Sequence, residues 1–222
     1  MNYYFSIVDT VICCQMPYPL LRSECTEPFQ CDEHPAPDFM FRFRGVEDIQ
    51  DDADQGVWMD EHHFIELADG YQVCHYHLMG EKPYAKVYGS FDDPANLYCD
   101  YMLGCEQRIS STKDLINLLG IESFLLRCNG FMLHSSLIKW EGKGILFSAP
   151  SGTGKSTQAE LWQKYYGADV LNGDRAGVCY QHQRWIGWGL PFAGTSGIYR
   201  NECAPVSAIV VFHYVHTDGN VR

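Results

Sequence analysis

The chain has 222 residues, 46% of them apolar and 14% aromatic, enough to bury a sizeable core in one large domain or two small ones, and it carries a formal net charge of -12. That acid balance disfavours nucleic acid and anionic lipid as partners, and the one dense basic stretch, Arg42 to Arg44, is too short to serve as a footprint. No apolar run reaches the ~18 to 20 residues that span a membrane.

The N-terminal stretch "MNYYFSIVDTVICCQMPYPL" carries an acid at Asp9 and no basic n-region, so it reads as an ordinary strand and not as a signal peptide; the expected location is cytoplasmic. The ten cysteines contain no C-x-x-C and are scattered among apolar neighbours, which predicts reduced, buried thiols. "DFMFRFRGV" alternates Phe39, Phe41 and Phe43 against Met40, Arg42 and Arg44, the period of a strand with one wet face. "YQVCHYHLM" and "PYAKVYGSF" read as further strands, separated by acidic or proline-bearing loops such as "EDIQDDADQG". His75 and His77 fall on one face of such a strand; with no third ligand at suitable spacing, a solvated face is the better reading than a metal site. Residues 1–110 are therefore expected to form an antiparallel, β-rich N-terminal module.

The period then changes. Leu115, Leu118, Leu119, Phe124, Leu125 and Leu126 fit two short amphipathic helical stretches around Gly120, capped at Ser110 or Ser111 with Asp114 nearby, and ended by Cys128-Asn129-Gly130. "FMLHSSLIKW" and "KGILFSA" flank Glu141-Gly142, a tight hairpin signal, so the second of these strands should run antiparallel to the first.

That second strand feeds "APSGTGKST". Gly152 and Gly154 permit backbone conformations closed to other residues, so the N–H groups of Ser151, Gly152, Thr153, Gly154, Lys155 and Ser156 can form an anion nest that continues into Thr157. A helix starting near Lys155 adds its positive end. In such a loop the lysine ammonium reaches the β- and γ-phosphates and the Ser156 hydroxyl ligates Mg²⁺, which predicts a nucleotide site for ATP. The usual first glycine is replaced by Ala149, which is tolerable where φ is negative. "ADVLNGDRAGV" supplies a short strand, Ala168 to Leu171, with Asp174 just beyond its end as a candidate for metal contact, base chemistry or both. Further on, "GWGLPFAGTSGIYRN" places Thr195 and Ser196 in a polar loop and Arg200 where it could clamp a phosphate; a plain surface connection is the competing reading. His134, alone on its strand, reads locally as an ordinary side chain.

The run from His134 to Asp174, "LHSSLIKWEGKGILFSAPSGTGKSTQAELW" with "LNGDRAGV", resembles the catalytic core of HPr kinase/phosphorylase and its relatives, which include ATP-dependent phosphoenolpyruvate carboxykinase. The likeness extends over residues 111 to 212. It implies an α+β protein: the β-rich N-terminal module followed, over 111–222, by an HPr-kinase/carboxykinase-like P-loop core with a mixed sheet. It implies that His134 and Asp174 belong to the active site, that Lys155 holds phosphate, and that Ser156 binds Mg²⁺. Arg175 stands where that family has a second acid, beside a region that could meet substrate or phosphate. Kinases of this kind continue past "VSAIVVF", so a shortened C-terminal part is expected. The implied activity is an ATP-dependent kinase acting on a serine hydroxyl of a protein or peptide. A nucleotide-binding regulatory or assembly module with little turnover, and a small-molecule kinase or ATPase on the same core, stay open. So do the acceptor, any ligand of the N-terminal module, and assembly into a homo-oligomer.

Overall fold

The computed structural model describes residues 1–49, 57–58, 63–68, 72–79, 82–90, 92–192 and 194–212; in 57–58, 63–68 and 72–79, and at 123 and 195, it describes the backbone alone. The chain divides into two compact units, Met1–Arg127 and Cys128–Arg222. Both are strand-rich with few helices, an α+β composition.

In the first unit β1 (Asn2–Ile7), β2 (Thr10–Gln15), β3 (Phe39–Val46), β4 (Val57–Trp58), β5 (His63–Ala68), β6 (Gln72–Met79), β7 (Lys82–Ser90) and β8 (Asn96–Met102) form an eight-stranded sheet in the order β1-β2-β3-β8-β7-β6-β5-β4. The stretch read as one N-terminal strand is a hairpin, because Val8 and Asp9 take left-handed φ of 58° and 56° without a glycine to signal it. The alternation in β3 holds: Phe41 and Phe43 are buried and Arg44 is exposed. The antiparallel expectation needs correction. β3 runs parallel to both its neighbours, β2 and β8, so the sheet is mixed. Parallel neighbours require long crossovers, and residues 16–38 and 47–95 supply them. His75 and His77 sit on β6, and their side chains lie outside the described residues.

Two helices, α1 (Thr112–Leu118) and α2 (Ile121–Arg127), complete this unit. The break therefore comes after Arg127, where the sequence had suggested 110/111. The reason is bonding between segments far apart in the chain, which the sequence does not display. Leu21 N donates to Ser110 O at 2.8 Å and Thr112 N to Leu21 O at 2.9 Å, while the buried Thr26 and Thr112 hydroxyls lie 2.6 Å apart. Ser111 caps α1 in a full capping box with Asp114. Leu115, Leu118, Leu119, Phe124 and Leu125 are buried as expected, whereas Leu126 is exposed.

The second unit holds β9 (Gly130–Trp140), β10 (Lys143–Ser148), α3 (Lys155–Tyr166), β11 (Asp169–Asn172), β12 (Arg175–Gln181), β13 (Arg184–Gly189) and β14 (Cys203–Val211). Its sheet runs β10-β14-β13-β12-β9-β11, with a further β10–β9 pairing that closes the order on itself. Glu141 and Gly142 both take positive φ, 48° and 74°, so the β9–β10 connection is the tight hairpin that the dipeptide suggested. β10 is antiparallel to β9 and parallel to β14, which makes this sheet mixed as well. β9 serves two sets of partners: residues 130–134 pair with β12, and 135–140 pair with β10 and, over 137–139, with β11.

Helix α3 covers one face of this sheet. Ala159 packs with Ile138, Phe147, Ala168 and Val170, and Trp162 lies against Trp140 and Phe147 at ring distances of 5.4 and 6.2 Å. Each large apolar side chain so buried contributes about 1.5–3 kcal/mol, enough to seat the helix and so fix the loop that precedes it. Gly167, with φ 67°, ends α3, its N–H bonding back to Gln163 O. Among the described residues no helix is long and apolar enough to cross a membrane. The described cysteines are free thiols, with Cys13, Cys14, Cys99 and Cys179 buried and Cys31 exposed.

Candidate functional site

Strand β10 delivers the chain at Ala149, and α3 receives it at Lys155. Between them Gly152 and Gly154 take φ of 78° and 92°. A Cβ at either position would meet nothing within 4 Å. Glycine is thus required there by backbone conformation and not by space. Ser151 and Thr153 are not among the positive-φ residues, so the handedness alternates along the loop, the pattern that turns successive N–H groups to one side. Ala149 is not among them either, so its replacement of the usual glycine costs the loop nothing.

The Lys155 side chain is only 7% exposed. Its ammonium reaches back across the loop to Ala149 O at 2.9 Å and Pro150 O at 3.2 Å. The Thr153 hydroxyl donates to the same Pro150 carbonyl, closing the turn. Ser151 and Gly152 are exposed, Ser156 is half-buried, and Thr157 lies on the exposed side of the first helical turn.

Beside this loop, the β11–β12 connection is a two-residue break, Gly173-Asp174, in the line of strands along β9. Two serine hydroxyls hold the break, and a third ties down the neighbouring β9 backbone. The Ser136 hydroxyl donates to Gly173 O at 3.0 Å, the Ser156 hydroxyl to the same oxygen at 3.4 Å, and the Ser148 hydroxyl to His134 O at 3.2 Å. Ser135 N donates to Asp174 O at 2.9 Å. The first turn of α3 and the acid-bearing turn therefore share the Gly173 carbonyl.

The Asp174 side chain, 30% exposed, lies between an imidazole and a guanidinium: His134 Nε2 is 3.4 Å from Oδ1, and Arg175 Nε is 3.6 Å from Oδ2. His134 and Arg175 are register partners across β9 and β12, which explains their meeting at one carboxylate. The Arg175 guanidinium carbon sits 5.8 Å from the centre of the Phe192 ring. The turn Gly194–Ser196 closes over the acid so tightly that a Cβ on Gly194 would stand 2.6 Å from Asp174 Cβ.

The structure thus brings together His134, Asp174, Arg175, Ser156 and the 194–196 turn. The Ser196 hydroxyl accepts from Ile198 N at 3.2 Å, within its own turn, and the side chain of Thr195 lies outside the described residues. Arg200 is placed elsewhere. Its guanidinium lies 3.3 Å from Asp169 and 3.7 Å from Glu202, at the end of β11 opposite Asp174.

Two contributors have no signal in the sequence reading. Asn172 is fully buried and hydrogen-bonds the backbone on both sides of the acid turn. Ser136, equally buried, anchors Gly173. The "NGD" string could have drawn attention to Asn172 as a turn former; nothing in it points to the distant carbonyls that it meets.

A mobile polyphosphate with Mg²⁺ asks for loop N–H groups, one lysine, one hydroxyl and one or two carboxylates, the remaining metal ligands being water and phosphate oxygens. The donor set here fits that demand. Among the described residues no group of three or more His, Cys, Asp or Glu gathers into a site that the protein alone would complete. A scan against protein-family models and a search of curated proteins returned no match to this chain.

Proposed function

We propose that this protein is an ATP-dependent kinase of the HPr-kinase-like type, transferring the γ-phosphoryl group of ATP to a serine hydroxyl of a protein or peptide. One observation carries the reading: the hydroxyl at the start of α3 and the turn bearing Asp174 meet at a single carbonyl, Gly173 O, beside a loop whose two left-handed glycines precede a buried lysine. A glycine-rich connection needed only to join strand to helix would require no acid and no histidine at its flank.

In this reading the N–H groups of Ser151 to Ser156 and the end of α3 hold the phosphates, with Thr157 extending the first turn. Lys155 exchanges its loop carbonyls for β- and γ-phosphate oxygens. Ser156 and Asp174 would hold Mg²⁺, which when bound neutralises charge on the phosphates. Asp174 accepts the proton of the attacking hydroxyl as the new oxygen–phosphorus bond forms and the bond to the β-phosphate oxygen breaks. His134, 3.4 Å away, steadies the carboxylate, and Arg175 offers a guanidinium to the acceptor side.

A second reading, a nucleotide-binding module with little turnover, is favoured by Arg175, which places a cation 3.6 Å from the one acid where a second acid would serve a more active centre. The two readings separate in one experiment. The protein is incubated with γ-labelled ATP, Mg²⁺ and a cell extract, beside Lys155→Ala and Asp174→Asn, and ATP binding is measured in parallel. Label transfer that needs both residues supports the kinase, and label recovered on serine fixes the acceptor class. Binding without transfer by the wild-type protein supports the module. Label released only as inorganic phosphate or carried by a small molecule points to an ATPase or small-molecule kinase. No binding at all removes every form of the reading.

A further inference from the structure

Asn172 is one of six buried polar or charged residues in the described chain and has no accessible surface. Burying a primary amide is costly unless its hydrogen-bonding capacity is met. Here all of it is used. Nδ2 donates to Leu190 O at 2.9 Å and Phe192 O at 3.0 Å. Oδ1 accepts from Asp174 N at 2.9 Å and Arg175 N at 2.8 Å. An amide offers two donors and two acceptor lone pairs, and each has one partner.

The two halves of the amide do different work. The oxygen side forms a local turn and points the Asp174 and Arg175 side chains. Any asparagine in such a turn could do this. The nitrogen side reaches a segment 18 and 20 residues further along the chain. That segment carries Phe192, whose ring lies beneath the Arg175 guanidinium, and leads to Gly194, which abuts the Asp174 carboxyl. One side chain therefore sets the acid, its arginine neighbour and the wall that confines both. None of its four hydrogen bonds goes to the glycine-rich loop or to Lys155, whose ammonium bonds Ala149 O and Pro150 O.

We propose that Asn172 is the positioning residue of the Asp174 centre: it locks the acid turn to the wall that carries Leu190 and Phe192, so that it governs phosphoryl transfer and leaves nucleotide binding alone. The proposal rests on the kinase reading given above for its catalytic consequence, and on hydrogen bonds alone for its structural one.

The test uses the full chain with Asn172→Ala and Asn172→Asp. The aspartate keeps an acceptor for Asp174 N and Arg175 N and removes the donor pair, and it guards against an alanine variant that does not fold. Two readouts are taken: consumption of γ-labelled ATP with Mg²⁺ and extract, resolved into kcat and KM for ATP, and hydrogen exchange at single amides. In Asn172→Ala, kcat falls at least tenfold while KM for ATP stays within about twofold, a tenfold loss being 1.36 kcal/mol in barrier. The Asp174 and Arg175 amides exchange faster, and those inside α3 do not. In Asn172→Asp the two amides keep their protection, and kcat still falls because the wall at Leu190 and Phe192 is released. Wild-type kcat in either folded variant overturns the proposal. So does a matched loss of kcat, ATP affinity and protection throughout α3, which is the mark of a merely structural residue. If the wild-type chain consumes no ATP, the kinase reading fails by itself, and the exchange pattern still decides whether Asn172 holds Asp174.

Discussion

Gly194→Ala tests the closeness of the turn to the acid without replacing any group that the proposed chemistry uses. The added methyl would stand 2.6 Å from Asp174 Cβ, 2.7 Å from Cγ and 3.0 Å from Oδ1. Non-bonded carbons settle at about 3.5–4.0 Å, so roughly 1 Å of separation has to be found. The Asp174 backbone cannot supply it cheaply, since its N–H is held by Asn172 and its carbonyl by Ser135 N. The carboxyl itself must swing, or the turn must lift. Gly194 also sits at φ 53°, where an L residue costs about 1–2 kcal/mol. With overpacking added, the variant should lose about 2–5 kcal/mol of stability. A displacement of about 1 Å at a reacting group costs on the order of a hundredfold in rate. Label transfer from ATP should fall by about that factor while ATP affinity, measured by equilibrium titration, changes less than about twofold. Transfer at the wild-type rate by Gly194→Ala would refute the placement of the turn against Asp174 as a determinant of activity. Parallel loss of transfer and affinity would refute the independence of the acid turn from the phosphate loop.

Three further outcomes follow from the packing. In Gly189→Ala the new Cβ meets Arg200 O at 2.0 Å, a backbone atom that cannot rotate away, so urea unfolding of the second unit should show a loss of at least about 3 kcal/mol; a loss below about 1 kcal/mol would contradict that approach. Ser111→Ala removes the hydroxyl that accepts from Asp114 N at 3.2 Å, and should cost the first unit about 1 kcal/mol in the same assay, with the exchange of α1 amides rising first. Burial pushes the Cys14 and Cys179 thiols up, Cys179 to about 12. Below the ordinary thiol range both folded and unfolded chains keep these protons. Above it the unfolded chain loses them first, so stability should fall as pH rises from about 9 towards 12, read as a drop in Tm between those limits; a Tm unchanged across that window would show the thiols to be solvated.

Local signals carried over into structure where the cause was local. Glu141-Gly142 makes its hairpin, Ser111 and Asp114 make their capping box, and the Phe41 and Phe43 alternation finds its buried face. The glycines of "SGTGK" adopt the conformations for which glycine is needed. What stayed hidden was pairing at a distance. Nothing in "DFMFRFRGV" tells that β3 will have parallel neighbours on both sides, because strand direction is decided by partners and crossovers, not by the strand's own residues. The attachment of α1 to the first unit depends on Leu21, Ser23 and Thr26, about ninety positions earlier. In the candidate site, Asp174 could be read from its place after a strand. Asn172 could not, since half of its function lies in carbonyls brought to it by β12 and β13. Arg200 shows the converse: a guanidinium near the right loop in sequence, committed in space to Asp169 and Glu202.

The pairing of β10 with β14 has a consequence for synthesis. The strand that delivers the glycine-rich loop is bonded on one edge to β9, made just before it, and on the other to residues 206–211. During translation β10 leaves the ribosome some sixty residues before its second neighbour, a non-local contact of the kind that forms slowly. Until then β10 is carried on the sheet that β9 makes with β11, β12 and β13, with its second edge still unpaired. The edge of β10 next to the glycine-rich loop is therefore the last to be closed, and in the proposed kinase ATP added to nascent chains should protect β10 fully only once residues 206–211 have paired with it.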